Sequence, residues 1–251
     1  MKAIGIIPAR YASSRFPGKP LAEIGGIPMI IRVLNQAQQC TLLDDLYVAT
    51  DDERIANLVL ERGGKAILTS SAHPTGTDRL LEVATKLPDF DIYLNIQGDE
   101  PFLNPQVPDE LIRALQQDPQ AEIATPVCLM TQTEKLFSPH VVKVVRNQQA
   151  HALYFSRQPI PFLREVVDQN EWISRHPYYQ HIGVYAFRKS ALEKIAEMKP
   201  SILEQAESLE QLRWLEGGLN IITCTTTEPG PAVDTPEDLQ RIEKEYFPKG
   251  N

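Results

Sequence analysis

Short apolar runs alternate with helix-periodic stretches along the first hundred residues. Ala3–Pro8 is an almost wholly apolar run that reads as a strand buried on both faces. Met29, Val33 and Ala37, with Ile30 and Leu34, recur at helical spacing after Pro28, which suits a first-turn position. Leu46–Thr50 is a second strand, and Asp51 and Asp52 stand where an N-cap belongs, before a helix stopped by Gly63-Gly64. Lys65–Ser70, Thr77–Lys86 and Asp91–Gln97 continue as strand, helix and strand. This order implies a Rossmann-like α/β fold, a mostly parallel sheet with helices on both faces and its ligand at the carboxyl ends of the strands. From about 121 the alternation loosens. Ile123–Leu129, Val141–Arg146, His151–Phe155 and Ile182–Phe187 read as strands of a smaller antiparallel lobe, and the Pro-rich stretch 159–177 as a mobile loop or arm. Ser201–Gly217 reads as one helix, with Ser201 and Glu204 as a capping box and Gly217 as its stop. Thr235-Pro236-Glu237-Asp238 opens the last helix in the same way.

A chain of 251 residues, 42% of them hydrophobic, can bury one α/β core with a small lobe, so residues 1–251 are taken as a single domain with a looser subregion at about 121–200. The net charge of −8 argues against nucleic acid or an anionic membrane as partner. Local charge says more: residues 1–22 carry Lys2, Arg10, Arg15 and Lys19 and no acid, a basic island suited to a small polyanion such as a triphosphate. Cys40, Cys128 and Cys224 are scattered, with no CxxC, which fits a reducing cytoplasm and supports neither a disulfide framework nor a zinc site. The first apolar run is too short for a signal peptide, and nowhere do about 18 apolar residues follow one another.

The basic island centres on residues 8–20, Pro-Ala-Arg-Tyr-Ala-Ser-Ser-Arg-Phe-Pro-Gly-Lys-Pro, directly after the first strand. Small residues let backbone N–H groups approach phosphate oxygens, and Arg10, Arg15 and Lys19 add three cations to neutralise a triphosphate and a departing pyrophosphate. Neither G-x-x-x-x-G-K-[ST] nor G-x-G-x-x-G occurs, so this is not a P-loop or a dinucleotide fingerprint. Two carboxylates accompany it. Asp99 leaves the end of the fourth strand. Asp234 follows another apolar run and could also end a strand, although D-T-P-E-D is by itself a good helix opening.

The run Ala-Arg-x-x-Ser-x-Arg-x-Pro-Gly-Lys-Pro-Leu at 9–21 resembles the signature of the cytidylyltransferases that activate acidic sugars, the 3-deoxy-manno-octulosonate (Kdo) cytidylyltransferase family in particular. The resemblance continues in order through His73-x-x-Gly76-Thr77-Asp78-Arg79, Asn95-Ile96-Gln97-Gly98-Asp99-Glu100-Pro101, Ala152-Leu153-Tyr154-Phe155-Ser156-Arg157, His181-Ile182-Gly183, Leu209-Glu210-Gln211-Leu212-Arg213 and Val233-Asp234-Thr235-Pro236-Glu237-Asp238-Leu239. It departs in small ways: Phe16 stands where Leu is commoner and Thr75 where Ser is commoner, and 163–177 matches no pattern.

The resemblance implies transfer of CMP from CTP to the anomeric hydroxyl of Kdo for lipopolysaccharide, with Mg²⁺ held by Asp99 and Asp234. The acceptor hydroxyl would attack the α-phosphorus in line, with Arg10, Arg15 and Lys19 beside the two aspartates as the catalytic set. Pro8, Ala9, Arg10, Arg15, Lys19, Gly76, Thr77, Arg79, Gln97 and Asp99 would contact the nucleotide. At Gly76–Arg79 a glycine turn before an N-capped helix would need the same residues, and the choice of CTP over UTP is inherited from the family. Gln97, Arg157, His181, Tyr185, Glu210 and Gln211 would contact the sugar. Arg157 ends an aromatic strand, where a guanidinium suits a carboxylate. His181 rests on its motif, since a lone histidine beside a strand is more often structural. Glu210 and Gln211 fall mid-helix beside the stripe Ala206, Leu209, Leu212 and Leu215, where a solvated helix face is the plainer reading without the resemblance. A homodimer is also implied. The competing readings are a cytidylyltransferase for another acidic sugar (8-amino-Kdo or a sialic-acid-like compound), a sugar-1-phosphate nucleotidyltransferase, and a nucleotide-sensing relative without turnover.

Overall fold

The computed structural model describes residues 1–12, 15–227 and 230–248. They fall into two compact units, Met1–Asp109 with Pro229–Asn251, and Glu110–Glu228.

The first unit begins with β1 (Ala3–Ala9), a strand buried along nearly its whole length. A small hairpin, β2 (Glu23–Ile24) with β3 (Ile27–Pro28), leads into α1 (Met29–Ala37), which buries Met29, Ile30, Val33, Leu34 and Ala37. Then come β4 (Asp45–Thr50), α2 (Glu53–Glu61), β5 (Ala66–Leu68), α3 (Gly76–Lys86) and β6 (Ile92–Asn95), and the chain leaves along α4 (Gln106–Gln117), which belongs to the second unit from Glu110 onward. Asp52 caps α2 as its sequence suggests, accepting from the Arg54 N–H at 2.9 Å. α3 starts one residue earlier than its periodicity predicts, because Thr75 and Asp78 close a capping box around its first turn. The strands run parallel in the order β5-β4-β1-β6. From β1 the chain steps outward through β4 to β5, then returns to β6 on the other side of β1. The strand order therefore reverses between β1 and β6, and at such a switch point a crevice opens outside the carboxyl ends.

The second unit is built on β7 (Ile123–Leu129). It adds α5 (Thr133–Phe137), the antiparallel pair β8 (Lys143–Arg146) and β9 (Ala152–Ser156), α6 (Trp172–Arg175), β10 (Tyr179–His181), β11 (Tyr185–Arg188), α7 (Lys189–Glu197), α8 (Ile202–Glu207), α9 (Glu210–Glu216) and β12 (Ile221–Thr226). β10 and β11 pair antiparallel with β7, and β12 pairs parallel with it. The chain then returns to the first unit for α10 (Pro236–Tyr246), opened by a Thr235–Asp238 capping box. Among the described residues no helix is long and apolar enough to cross a membrane.

Three expectations are corrected. The strand expected over 182–187 begins only at Tyr185: β10 ends at His181, the Ile182 N–H donates to the Pro126 carbonyl at 3.1 Å but Pro126 has no N–H to return, and the chain steps out through Gly183 before β11. The single helix over 201–217 is two, α8 and α9, broken at Ser208, whose φ of 52° is left-handed. Glu210 is thus the first residue of α9 rather than a mid-helix position. The stretch 159–177, expected as a mobile loop or arm, is anchored: Trp172 and Tyr178 are buried with Met130 and Leu136, and Leu163 and Val166 pack against them. α4 and β12 were not foreseen as elements.

Candidate active site

The carboxyl ends of β1 and β6 line a cavity of about 390 Å³, walled by Pro8, Ala9, Arg10, Ala12, Lys19, Pro20, Gln97, Gly98 and Asp99. Two backbone features bring its walls together. A Cβ on Gly98 would sit 2.5 Å from the Pro8 carbonyl oxygen, so only glycine lets the β6 loop lie this close to β1. Gly18, at φ 73°, turns the phosphate loop back; its N–H donates to the Tyr11 carbonyl at 2.9 Å, and Lys19 follows directly. Ser13 of the motif, and Ser14, lie outside the described residues.

Lys19 organises the cavity floor. Its ammonium lies 2.9 Å from Asp99 Oδ2, 3.6 Å from Asp234 Oδ1 and 3.0 Å from the Val233 carbonyl, with only 15% of the side chain exposed. The Val233 N–H in turn donates to the Asp99 carbonyl at 3.0 Å, and the Val233 side chain is wholly buried against Ile24, Met29 and Ile242. A core residue thus fixes where Asp234 stands. Arg15 meets the same carboxylate at 3.1 Å, from a more exposed position. The sequence left open whether Asp234 serves only the start of α10. It does not cap that helix: the Thr235 hydroxyl accepts from the Asp238 N–H, and the Asp238 carboxylate accepts from the Asp234 and Thr235 N–H groups. Nor does Asp234 end a strand, since β12 stops at Thr226.

The two aspartates converge on one cation, and both are hard oxygen donors. With no third acidic or imidazole ligand grouped with them among the described residues, they form no complete protein cage. Two carboxylates completed by water and substrate phosphates are what Mg²⁺ commonly accepts, so the donor set fits that ion. Glu100, next in sequence, has its carboxyl pushed up to about 7 by burial and by the neighbouring Asp99 charge.

Gly76, Thr77 and Arg79 do not line this cavity. Thr77 is 3% exposed and Arg79 fully buried, with its guanidinium on Thr69 and 3.4 Å from Asp51. Burial holds Arg79 below the usual guanidinium range, against the pull of Asp51. His73 pairs with Glu82.

In the second unit, His181 at the end of β10 and Tyr185 at the start of β11 place their rings 5.3 Å apart. Both are nearly buried. Burial, then the Glu210 charge, drives the Tyr185 phenol well above its ordinary range, which sets Glu210 beside it. Gln211 is buried rather than solvated, and Glu210 accepts from Arg213 at 2.9 Å. The helix break is what turns these two residues away from a plain exposed face. Burial drives His181 down to about 3, so the ring is neutral at working pH. Thr125 Oγ1 lies 3.0 Å from His181 Nε2 and 2.9 Å from the Val184 carbonyl. The hydroxyl has one proton and gives it to a carbonyl, so Nε2–H is the donor and Nδ1 the acceptor of the ring. His181 can therefore orient a hydroxyl group but offers no positive charge to a carboxylate. Thr125 escaped the sequence reading because nothing marks a threonine inside an apolar strand as a partner for a distant histidine.

The His181 environment also sets an acid limb. An unfolded histidine takes a proton near pH 6.5 that the folded one refuses until about 3, so this contribution is complete above 6.5 and lost as pH falls toward 3. Urea unfolding should show stability dropping by roughly 2–3 kcal/mol more for the parent than for His181→Gln between pH 6.5 and 4.5. Equal slopes for the two would remove the buried neutral imidazole from the account.

Relatives of this chain are extensive. A protein from Bacteroides thetaiotaomicron called 3-deoxy-manno-octulosonate cytidylyltransferase is 49% identical over 248 residues, which cover 97% of this chain and 98% of that one. The chain belongs to the 3-deoxy-manno-octulosonate cytidylyltransferase family. A member of that family from Cytophaga hutchinsonii is 48% identical over 95% of both chains. The family model described as cytidylyltransferase matches residues 4–221. Among solved structures, CMP:2-keto-3-deoxy-manno-octonic acid synthetase complexed with CTP is 43% identical, superposes with a TM-score of 0.91 and covers 97% of each chain. The α/β architecture of the 3-deoxy-manno-octulosonate cytidylyltransferase family is thus the one described above.

Proposed function

We infer that this chain transfers CMP from CTP to the anomeric hydroxyl of Kdo, giving CMP-Kdo for lipopolysaccharide and releasing pyrophosphate. The observation that carries the reading is the convergence of Lys19, Asp99 and Asp234 at the β1–β6 switch point in a chain with near-full-length relatives of that name. The Kdo hydroxyl oxygen forms a bond to the α-phosphorus of CTP as the bond from that phosphorus to the pyrophosphate oxygen breaks, and the hydroxyl proton is released. No protein nucleophile is needed, so the work of the chain is positioning and charge neutralisation. Arg10, Arg15 and Lys19 serve the phosphates, and the walls at Pro8, Ala9 and Gln97 enclose the nucleotide. Asp99 and Asp234 would hold Mg²⁺, which supplies Lewis-acid stabilisation of phosphate charge. His181, Tyr185, Glu210 and Gln211 serve the sugar hydroxyls. The enzyme is further read as a cytoplasmic homodimer, as the family resemblance implies.

The test is pyrophosphate release by the purified protein with CTP, MgCl₂ and Kdo, with UTP and other sugar acids in parallel. Mg²⁺-dependent release with CTP and Kdo is expected. Release only with an amino-sugar acid or a sialic acid would change the acceptor, and tight CTP binding without turnover on any acceptor would sink the enzyme reading.

A further inference from the structure

Arg157 directly follows β9, but its guanidinium is engaged. Nε donates to the Glu207 carbonyl at 2.7 Å, Nη1 to the Pro139 carbonyl at 3.0 Å and Nη2 to the Ser208 carbonyl at 3.3 Å. Each of its three nitrogens already faces a backbone oxygen. The Glu207 carboxylate answers from the other side, accepting from the Arg157 N–H at 2.9 Å and the Ser156 hydroxyl at 2.6 Å. Behind them Lys143 is wholly buried and gives its ammonium protons to the carbonyls of Ser138, Val141 and Arg157. Burial lowers this lysine to about 8, so at neutral pH all three carbonyls still face an ammonium.

This cluster grips one place in the chain. Glu207 closes α8, Ser208 takes the left-handed conformation without being a glycine, and α9 starts behind Leu209, whose side chain cannot cap it. The Ser208 and Leu209 N–H groups close α8 on the Glu204 carbonyl, but the left-handed serine is costly and α9 has no side-chain cap, so contacts from outside add to what holds the corner. Arg157 holds the carbonyls of both Glu207 and Ser208, the two residues at the bend. Two residues further on lies Glu210, and then the buried Gln211.

We propose that Lys143, Arg157 and Glu207 form a positioning unit that fixes the α8–α9 corner and thereby presents Glu210 and Gln211 to the acidic sugar, with Arg157 acting through this corner and not as the ligand of the sugar carboxylate. The proposal rests on the reading that Glu210 and Gln211 contact the sugar.

The experiment compares Glu207→Gln, Arg157→Lys and their double variant in the full chain. It measures KM for Kdo, KM for CTP, kcat and thermal unfolding, and repeats the assay with the carboxamide of Kdo. Gln211→Ala serves as the control for the underlying reading. The expected result is a rise in KM for Kdo of about tenfold in each single variant, with KM for CTP unchanged and the double variant no worse than the singles. Preference for Kdo over its carboxamide should be retained in Arg157→Lys. Additive losses, or loss of that preference in Arg157→Lys alone, would overturn the proposal in favour of direct carboxylate binding. A lowered melting temperature with both KM values unchanged would overturn it in favour of a purely structural corner. If Gln211→Ala leaves KM for Kdo unaltered while Glu207→Gln raises it, the reading beneath has failed and the proposal falls with it. If both raise it, the reading stands and the coupling decides the proposal.

Discussion

In Asp99→Asn the turnover of CTP and Kdo is expected to fall by about a thousandfold, with the fold intact. The substitution keeps the shape of the side chain and removes one negative oxygen from the point where two carboxylates and Lys19 meet. Losing one charge-stabilising group at a reacting phosphate typically costs about 10²–10³ in rate, and the metal-binding role proposed for Asp99 puts the loss at the upper end. Lys19, the less exposed partner, keeps Asp234 at 3.6 Å and the Val233 carbonyl at 3.0 Å, so its charge is not stranded and unfolding should be little changed. Asp234→Asn should behave alike, and the double variant should lose little more than either single one, because the two act as a unit. Steady-state pyrophosphate release across a Mg²⁺ titration measures this. Retention of more than a tenth of parent turnover in Asp99→Asn would remove the carboxylate pair from the mechanism.

Lys19→Met should cost about 10²–10³ in kcat/KM and show a second sign that a simple phosphate contact would not. The ammonium separates two carboxylates and satisfies the Val233 carbonyl. Without it the carboxylates repel and become a vacant divalent-cation site. Added MgCl₂ should therefore raise the melting temperature of the variant by about 2–4 °C more than that of the parent, the equivalent of roughly 1 kcal/mol of linked binding. Lys19→Arg should not restore activity, because a planar fork cannot replace a compact ammonium among three oxygens. Calorimetry with and without MgCl₂ separates the outcomes. Equal shifts in both proteins would mean that Lys19 does not stand where a cation belongs.

Much of this site could be read in the sequence because local order and ligand placement coincide in a parallel sheet. The apolar run at 3–8 fixed the strand, and a basic loop after such a strand sits at a carboxyl end by topology alone. Asp234 was ambiguous because a helix opening and a metal ligand use the same letters; the capping roles of Thr235 and Asp238 leave its carboxylate to Lys19 and Arg15. The helix break at Ser208 left no trace, since Ala206, Leu209, Leu212 and Leu215 keep their helical spacing through it and serine is not a usual left-handed residue. Arg157 shows the converse limit. An arginine at a strand end looks like a ligand until the carbonyls that occupy it are seen, and those come from residues about 18 and 50 positions away. Gly76, Thr77 and Arg79 match the motif in order, yet burial takes the last two into the interior, which spacing alone does not reveal.

The Val233 peptide ties Asp99 and Lys19, both placed early, to Asp234, which follows Asp99 by 135 positions (234 − 99). During synthesis the phosphate loop and the first carboxylate emerge and can settle into their strands while the whole second unit has yet to be made. The pair of carboxylates closes only when the chain comes back. A chain halted anywhere in between would lack the carbonyl that receives the Lys19 ammonium and the second carboxylate, and Ile24 and Met29 would have neither Val233 nor Ile242 to pack against.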